Sequence, residues 1–229
     1  MNPDQYKYVA RLIVLFTAMP IHESAHAFVS YKLGDPTAKQ QGRLTLNPLK
    51  HLDLMGSVFL VFAGFGWAKP VPVDPRYYKN PKTGMALSSL AGPVSNLLLA
   101  FVCMILHKFA VYAFYASQSQ VLYYAALILS TMVLTNVVLA IFNLIPVPPF
   151  DGSRVFGLIL PEKAYWSVMR YERYILGAVF ILLVGARFIP ALANVIYGPL
   201  NAVENAVLSA LGWLTGFVDP LAIRLFGLA

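Results

Sequence analysis

Five stretches of this chain carry almost no charge: residues 8–21, 85–106, 121–145, 174–186 and 205–218. A helix that crosses a bilayer needs about 20 apolar residues, and somewhat more when tilted. Several of the runs reach that length once their weakly polar flanks are counted. Charged residues make up 12% of the chain and hydrophobic ones 59%, whereas a soluble domain is about 25% charged. Water is not the main solvent of such a chain, and the sequence predicts an all-α, multi-pass membrane protein.

The expected organisation is a single membrane domain over 1–229, with a core over about 5–160 and further membrane helices over about 174–218. A first helix over roughly 5–33 ends at Gly34-Asp35-Pro36, a helix-stopping sequence. Because its apolar run continues past Pro20 with no small-residue cleavage site, it is read as part of the mature protein and not as a signal peptide. An irregular basic loop over 35–51 follows. Residues 52–66 are apolar but short for a span, and are interrupted by Gly56, Gly64 and Gly66. Residues 67–75 contain Pro70, Pro72 and Pro75 and cannot be helical; they are expected as an extended, β-like edge. Helices are predicted over about 84–115 and 121–145, the latter stopping before Pro146, Pro148 and Pro149. A further span is expected over 174–193, and the apolar stretch at about 200–218 either spans or lies on the surface. The single cysteine, Cys103, can form no internal disulfide.

The net charge of +7 is not a nucleic-acid signal, since no nucleic-acid motif accompanies it. Basic residues concentrate beside membrane spans because cytoplasmic loops retain them. Twelve of the seventeen Lys and Arg residues fall in three loops: Lys32, Lys39, Arg43 and Lys50; Lys69, Arg76, Lys79 and Lys82; Arg154, Lys163, Arg170 and Arg173. The loops near 116–120 and 194–201 hold none. The three basic loops are therefore expected in the cytoplasm and the N-terminus outside, despite Lys7 and Arg11. With both flanks basic, 52–66 should enter and leave on one side, as a re-entrant element buried in protein.

The first helix carries His22-Glu23-Ser24-Ala25-His26. Helical residues four apart share a face, so both imidazoles can reach one metal ion. Glu23 lies about a quarter-turn away and can take a proton from an attacking water without being a ligand. Two buried histidines beside a glutamate could instead be structural, but ionisable groups inside a membrane are costly and usually functional.

A catalytic zinc usually takes three protein ligands. Asp151 follows Pro146, Pro148 and Pro149 and precedes Gly152, so a stiff apolar bend presents it at the membrane edge. It could be a ligand or the N-cap of a helix beginning near Ser153. Within the second long helix, Ala91-Gly92-Pro93-Val94-Ser95-Asn96 loosens the backbone and lets neighbouring helices approach. Asn96, an amide in an apolar span, needs a partner. It is either helix–helix glue or a donor to the oxyanion of a tetrahedral intermediate.

Taken together, HESAH at 22–26, GPVSN at 92–96 and NLIPVPPFDG at 143–152 resemble, in order, the motifs of the site-2 protease family of intramembrane zinc metalloproteases. The resemblance covers about 10–160, including GRLTLNPLKHLDLMG at 42–56 and FGWAKPVPVDP at 65–75, and is greatest to small prokaryotic members without a PDZ domain. It implies one Zn2+ per chain, near the cytosolic side of the cell membrane, in a three-helix core. It implies His22, His26 and Asp151 as metal ligands, Glu23 as catalytic residue and Asn96 as an assisting residue near the substrate. It also implies a transmembrane protein substrate that unwinds and pairs with an extended segment, here 58–73. Some relatives carry a span before the HExxH helix; none is expected here.

Three other residues compete with Asp151 as third ligand: His51, Asp53 and Asp74. A catalytic ligand must be held to within about half an ångström. His51 and Asp53 sit in a polar loop, and Asp74 sits in the expected edge, whereas Asp151 follows a long span and three prolines. His51 is expected to be solvated, with a pH-switch role as its alternative; His107, beside Lys108, is expected at the outer interface. Two rival readings, a transporter and a non-catalytic membrane metal-binding protein, are disfavoured. Repeated halves are absent from the sequence, and a structural metal would not need Glu23. The substrate's identity and the oligomeric state are not written in the sequence.

Overall fold

The computed structural model describes residues 5–63, 66–186 and 188–228. The chain is all-helical: among the described residues there is no β-sheet, only an isolated bridge between Leu52 and Ala68. Three helical stretches are long and apolar enough to cross a membrane: Gln5–Lys32, Pro81–Ser117 and Gln120–Asn143.

The first of these is two helices, α1 (Gln5–Phe16) and α2 (Ala18–Lys32), where the sequence predicted one. The break has a cause in Pro20. A proline ring clashes with the carbonyl four residues earlier, which is that of Phe16, and α1 ends there. Thr17 occupies the gap and turns its hydroxyl back onto the carbonyl of Ile13, at 2.6 Å. A short α3 (Thr37–Gln40) follows, and then α4 (Leu54–Ala63). Ten residues of helix reach about 15 Å, half of a hydrocarbon core of about 30 Å. The flanks of α4 are joined: Leu52 pairs with Ala68, and the amide of Lys69 donates to the carbonyl of His51 at 2.8 Å. The chain thus leaves this element at the end where it entered, as a re-entrant segment does. Backbone contact explains two of its glycines, because a Cβ on Gly56 would strike the backbone of Trp67 and one on Gly66 would strike the carbonyl of Gly56. At the last turn of α4, Arg11 of α1 donates to the carbonyl of Val61 at 2.9 Å. This gives a cation in an apolar span a helix C-terminus to neutralise. Of the described residues in the expected pairing segment 58–73, 58–63 are helical and 66–73 are not; the helical part is uniformly apolar and free of proline.

The long helix α5 (Pro81–Ser117) and α6 (Gln120–Asn143) form an antiparallel pair. Asn80 caps α5 by accepting from the amide of Thr83 at 3.1 Å, and Pro81 stands first in the helix, where its missing amide is not needed. The core gathers Val14, Leu15, Ala18, Met19, Leu60, Cys103, Met132 and Val133, so α1, α2, α4, α5 and α6 share one interior. After α6 come α7 (Gly152–Phe156), α8 (Glu162–Arg170), α9 (Glu172–Ala186), α10 (Pro190–Leu214) and α11 (Val218–Phe226). The sequence predicted a span over 174–193 followed by a separate segment over 200–218. Instead one helix starts at Pro190 and runs to Leu214, and only α9 and α10 together, bent by 109°, have the length and apolarity of a span. Lys108 ties this region to α5, donating to Asp219 at 2.8 Å and to the carbonyl of Thr215 at 3.2 Å. Its neighbour His107 bonds the carbonyl of Ala126 at 3.0 Å.

The three basic loops meet at one end of the bundle. Arg43 donates to the carbonyl of Lys69 at 2.6 Å, joining the first to the second. Lys82 donates to the carbonyls of Leu158 (2.9 Å) and Leu160, joining the second to the third.

Candidate metal centre

His22, Glu23 and His26 are all buried in α2, below the break at Thr17. The two imidazoles face α5. The Nδ1 of His26 lies 2.7 Å from the carbonyl oxygen of Ser88, and the Nδ1 of His22 lies 2.8 Å from Oδ1 of Asn96. Both partners are acceptors, so each Nδ1 carries the proton and each Nε2 presents a lone pair. The two Nε2 atoms approach to 3.0 Å. Asp151 Oδ2 stands 3.4 Å from the Nε2 of His22 and 3.3 Å from that of His26. Three acceptor atoms converging in a buried space make a set that could hold a metal ion. Tetrahedral zinc with bonds of about 2.0–2.2 Å has ligand atoms about 3.3–3.6 Å apart; both Asp151 separations match, and the 3.0 Å between the imidazoles is a few tenths of an ångström short, so these residues fit a zinc ion after a small spreading of the rings.

The approach of α2 to α5 depends on Gly92. A Cβ there would fall on the rings of both His22 and His26. The sequence flagged Gly92-Pro93 as a point of close helix approach, and what approaches is the histidine pair itself. Asn96, one turn further on, is fully buried. Its Oδ1 is taken by His22, and its Nδ2 has no partner among the described residues.

Asp151 reaches the histidines from the bend after α6. The bend closes on itself: Val147 donates to the carbonyl of Ile145 at 2.8 Å, Phe150 to that of Val147 at 3.1 Å, and Ser153 Oγ to that of Phe150 at 2.7 Å. A Cβ on Gly152 would strike the carbonyls of Leu144 and Ile145, so only glycine allows this closure. Asp151 precedes α7 but makes no side-chain cap; its carboxylate is turned to the histidines instead.

The competing candidates lie elsewhere. Asp53 accepts from the amide of Gly56 at 2.8 Å, at the start of α4. Asp74 is held by Arg76, whose Nε donates to it at 2.9 Å. His51 is not solvated, as the sequence predicted, but fully buried. Its Nε2 bonds the carbonyl of Thr45 at 2.7 Å, and Ser24 Oγ donates to that same carbonyl, which links the loop to the metal-face helix. A loop histidine gives no sign of this in sequence, because its partner is a backbone carbonyl. Among the described residues, His22, His26 and Asp151 form the one cluster of potential ligands able to hold a metal ion.

Comparison with known proteins agrees. The profile of Peptidase family M50 matches residues 109–186. The chain is 40% identical over 205 residues to "Putative zinc metalloprotease YwhC" of Bacillus subtilis, covering 87% of this chain and 88% of that one. It is 26% identical over 226 residues to "Putative zinc metalloprotease Rip2" of Mycolicibacterium smegmatis, covering 95% and 84%. It is 26% identical over 151 residues to "Zinc metalloprotease MJ0392" of Methanocaldococcus jannaschii, covering 66% and 34%. No solved structure matches. The chain belongs to the site-2-protease-like M50 family of zinc metalloproteases, with a multi-pass membrane fold and a His/His/Asp metal-binding cluster.

Proposed function

We propose that this chain is an intramembrane zinc metalloendopeptidase that hydrolyses peptide bonds in or next to transmembrane helices of other membrane proteins. The observation that carries the reading is the convergence of His22 Nε2, His26 Nε2 and Asp151 Oδ2 beside Glu23 in a buried, membrane-spanning core. One zinc ion held by these three side chains would polarise the scissile carbonyl and lower the pKa of water at its open position toward about 7. Glu23 takes the proton of the attacking water and delivers it to the leaving amine. Asn96 has two tasks: its Oδ1 holds His22 in the tautomer that leaves Nε2 free, and its Nδ2 donates to the carbonyl oxygen as negative charge builds on it. The catalytic core is residues 5–160, and the helices after it complete one membrane domain.

The site is assigned to the cytoplasmic side. Support comes from the three basic loops, which meet at the metal-centre end of the bundle, and from the retention of such loops in the cytoplasm. A helical substrate hides its carbonyls in its own hydrogen bonds, so the substrate unwinds before cleavage. The test is incubation of purified protein, in lipid, with a panel of single-span membrane proteins, with and without a zinc chelator. Chelator-sensitive cleavage within or beside the span is expected; cleavage that survives full metal removal would refute the reading.

A further inference from the structure

An extended strap, residues 66–74, passes over Glu23. Three of its residues are held through the backbone. Lys69 donates to the carbonyl of His51 at 2.8 Å and accepts from Arg43 at 2.6 Å. Val71 donates its amide to Glu23 Oε2 at 2.9 Å. Asp74 donates its amide to Asp35 Oδ2 at 2.8 Å. Pro70 and Pro72 alternate with these residues, lack amides, and hold their φ near the extended range. The strap is anchored at each end, and between the anchors a single amide meets the Glu23 carboxylate.

The far anchor is an unusual one. Asp35 is fully buried. It accepts from Ser30 Oγ at 2.8 Å, from the Thr37 amide at 2.9 Å and from the Asp74 amide, with no cation among these partners. Burial would raise its pKa, but the bonds from Thr37, Asp74 and Ser30 outweigh that and keep the carboxyl below the usual range. Ser30 belongs to α2, two turns beyond Glu23, and its hydroxyl also meets Tyr78 Oη at 2.8 Å. Asp35 therefore fastens the strap to the very helix that carries Glu23.

We propose that Asp35 is a positioning residue: by fixing the strap it sets the Val71 amide against Glu23 Oε2 and so leaves Oε1 directed at the water. The proposal rests on Glu23 being the catalytic base. A glutamate side chain has several rotamers of similar energy, and one fixed amide selects among them. Misplacement of a reacting group by about 1 Å lowers a rate by roughly a hundredfold, so the anchor acts on turnover, whatever its effect on substrate pairing along 58–73.

Two substitutions separate this from a merely structural role. Asp35→Asn replaces one acceptor oxygen with a donor that must face another donor. Val71→Pro deletes the amide and exchanges the isopropyl group for a ring, between two residues that are already proline. With the full chain in nanodiscs, each variant is expected to lower kcat at saturating substrate about ten- to a hundredfold, with zinc content within about twofold of wild type. The double variant should lose no more than about twofold beyond either single one, because both act through one contact. Multiplying losses, or wild-type kcat in Val71→Pro, would overturn the proposal. Hydrogen exchange supplies a readout independent of cleavage and of the folding of Val71→Pro. The strap amides should exchange at least about tenfold faster in Asp35→Asn and in Glu23→Ala, with α2 and α5 unchanged. Unchanged strap exchange in Asp35→Asn would also overturn it. A wild-type protein that shows this protection but cleaves nothing would count against the catalytic reading of Glu23 and not against the strap.

Discussion

Asn96 Oδ1 lies 2.8 Å from His22 Nδ1, and the Nδ2 of the same amide has no partner among the described residues. One side chain thus faces a ligand with its acceptor and has its donor unused in a buried place. Leaving such a donor unmade costs about 1–3 kcal/mol, an expense that a developing oxyanion would recover during the reaction.

The two halves of Asn96 can be separated. Asn96→Ala loses both and is expected to lower zinc affinity about 10–100-fold and turnover about ten- to a thousandfold. Asn96→Asp keeps an acceptor for His22 but no Nδ2 donor, so it should hold zinc while losing turnover. Metal titration alongside single-turnover cleavage checks both; full turnover in Asn96→Asp would remove the oxyanion role.

Gly92 is the contact point between α5 and the histidine rings. Gly92→Ala should push both rings from their places, weakening zinc binding about tenfold or more, as disturbed metal supports do. Overpacking of this kind also destabilises by about 1–3 kcal/mol. Zinc titration and thermal unfolding measure the two effects, and unchanged metal affinity would show that α5 can retreat.

The third ligand is tested by comparison. Asp151→Ala should reduce bound zinc and abolish cleavage. Asp53→Ala and Asp74→Ala should keep near-stoichiometric metal, because those carboxylates are occupied at Gly56 and Arg76. Metal analysis of the three purified variants decides it, and a fully loaded Asp151→Ala would demote that residue.

The proposed cytoplasmic placement of the joined basic loops is tested by labelling. Cysteines placed at Lys39, Lys79 or Lys163 should be labelled by an impermeant reagent only from the cytosolic side, and one at Ser119 only from outside. Labelling at 79 from outside would mean that the segment containing α4 crosses the membrane.

Much of this was legible in the chain itself. Long uncharged runs mark α5 and α6 to within a few residues, since a bilayer leaves the backbone little choice. HESAH places two imidazoles on one helical face, and the NLIPVPPFDG bend presents Asp151. What the sequence hid were contacts made through the backbone. Val71 meets Glu23 through its amide and His51 meets Thr45 through a carbonyl, and neither group depends on residue type. Asp35 read only as part of a helix stop, because its long-range partner is the backbone amide of the distant Asp74. The break at Thr17 was readable from Pro20, whose ring excludes the carbonyl of Phe16 from helical bonding. The boundary at Pro190 was hidden because apolar residues run on both sides of it.

The most direct test of the central claim is zinc content and cleavage measured together on purified wild type and Glu23→Gln. Removing the base while keeping its shape should leave one zinc per chain in both proteins and lower cleavage by several orders of magnitude. Cleavage near the wild-type rate by zinc-loaded Glu23→Gln, or a wild type that binds no zinc, would contradict the account.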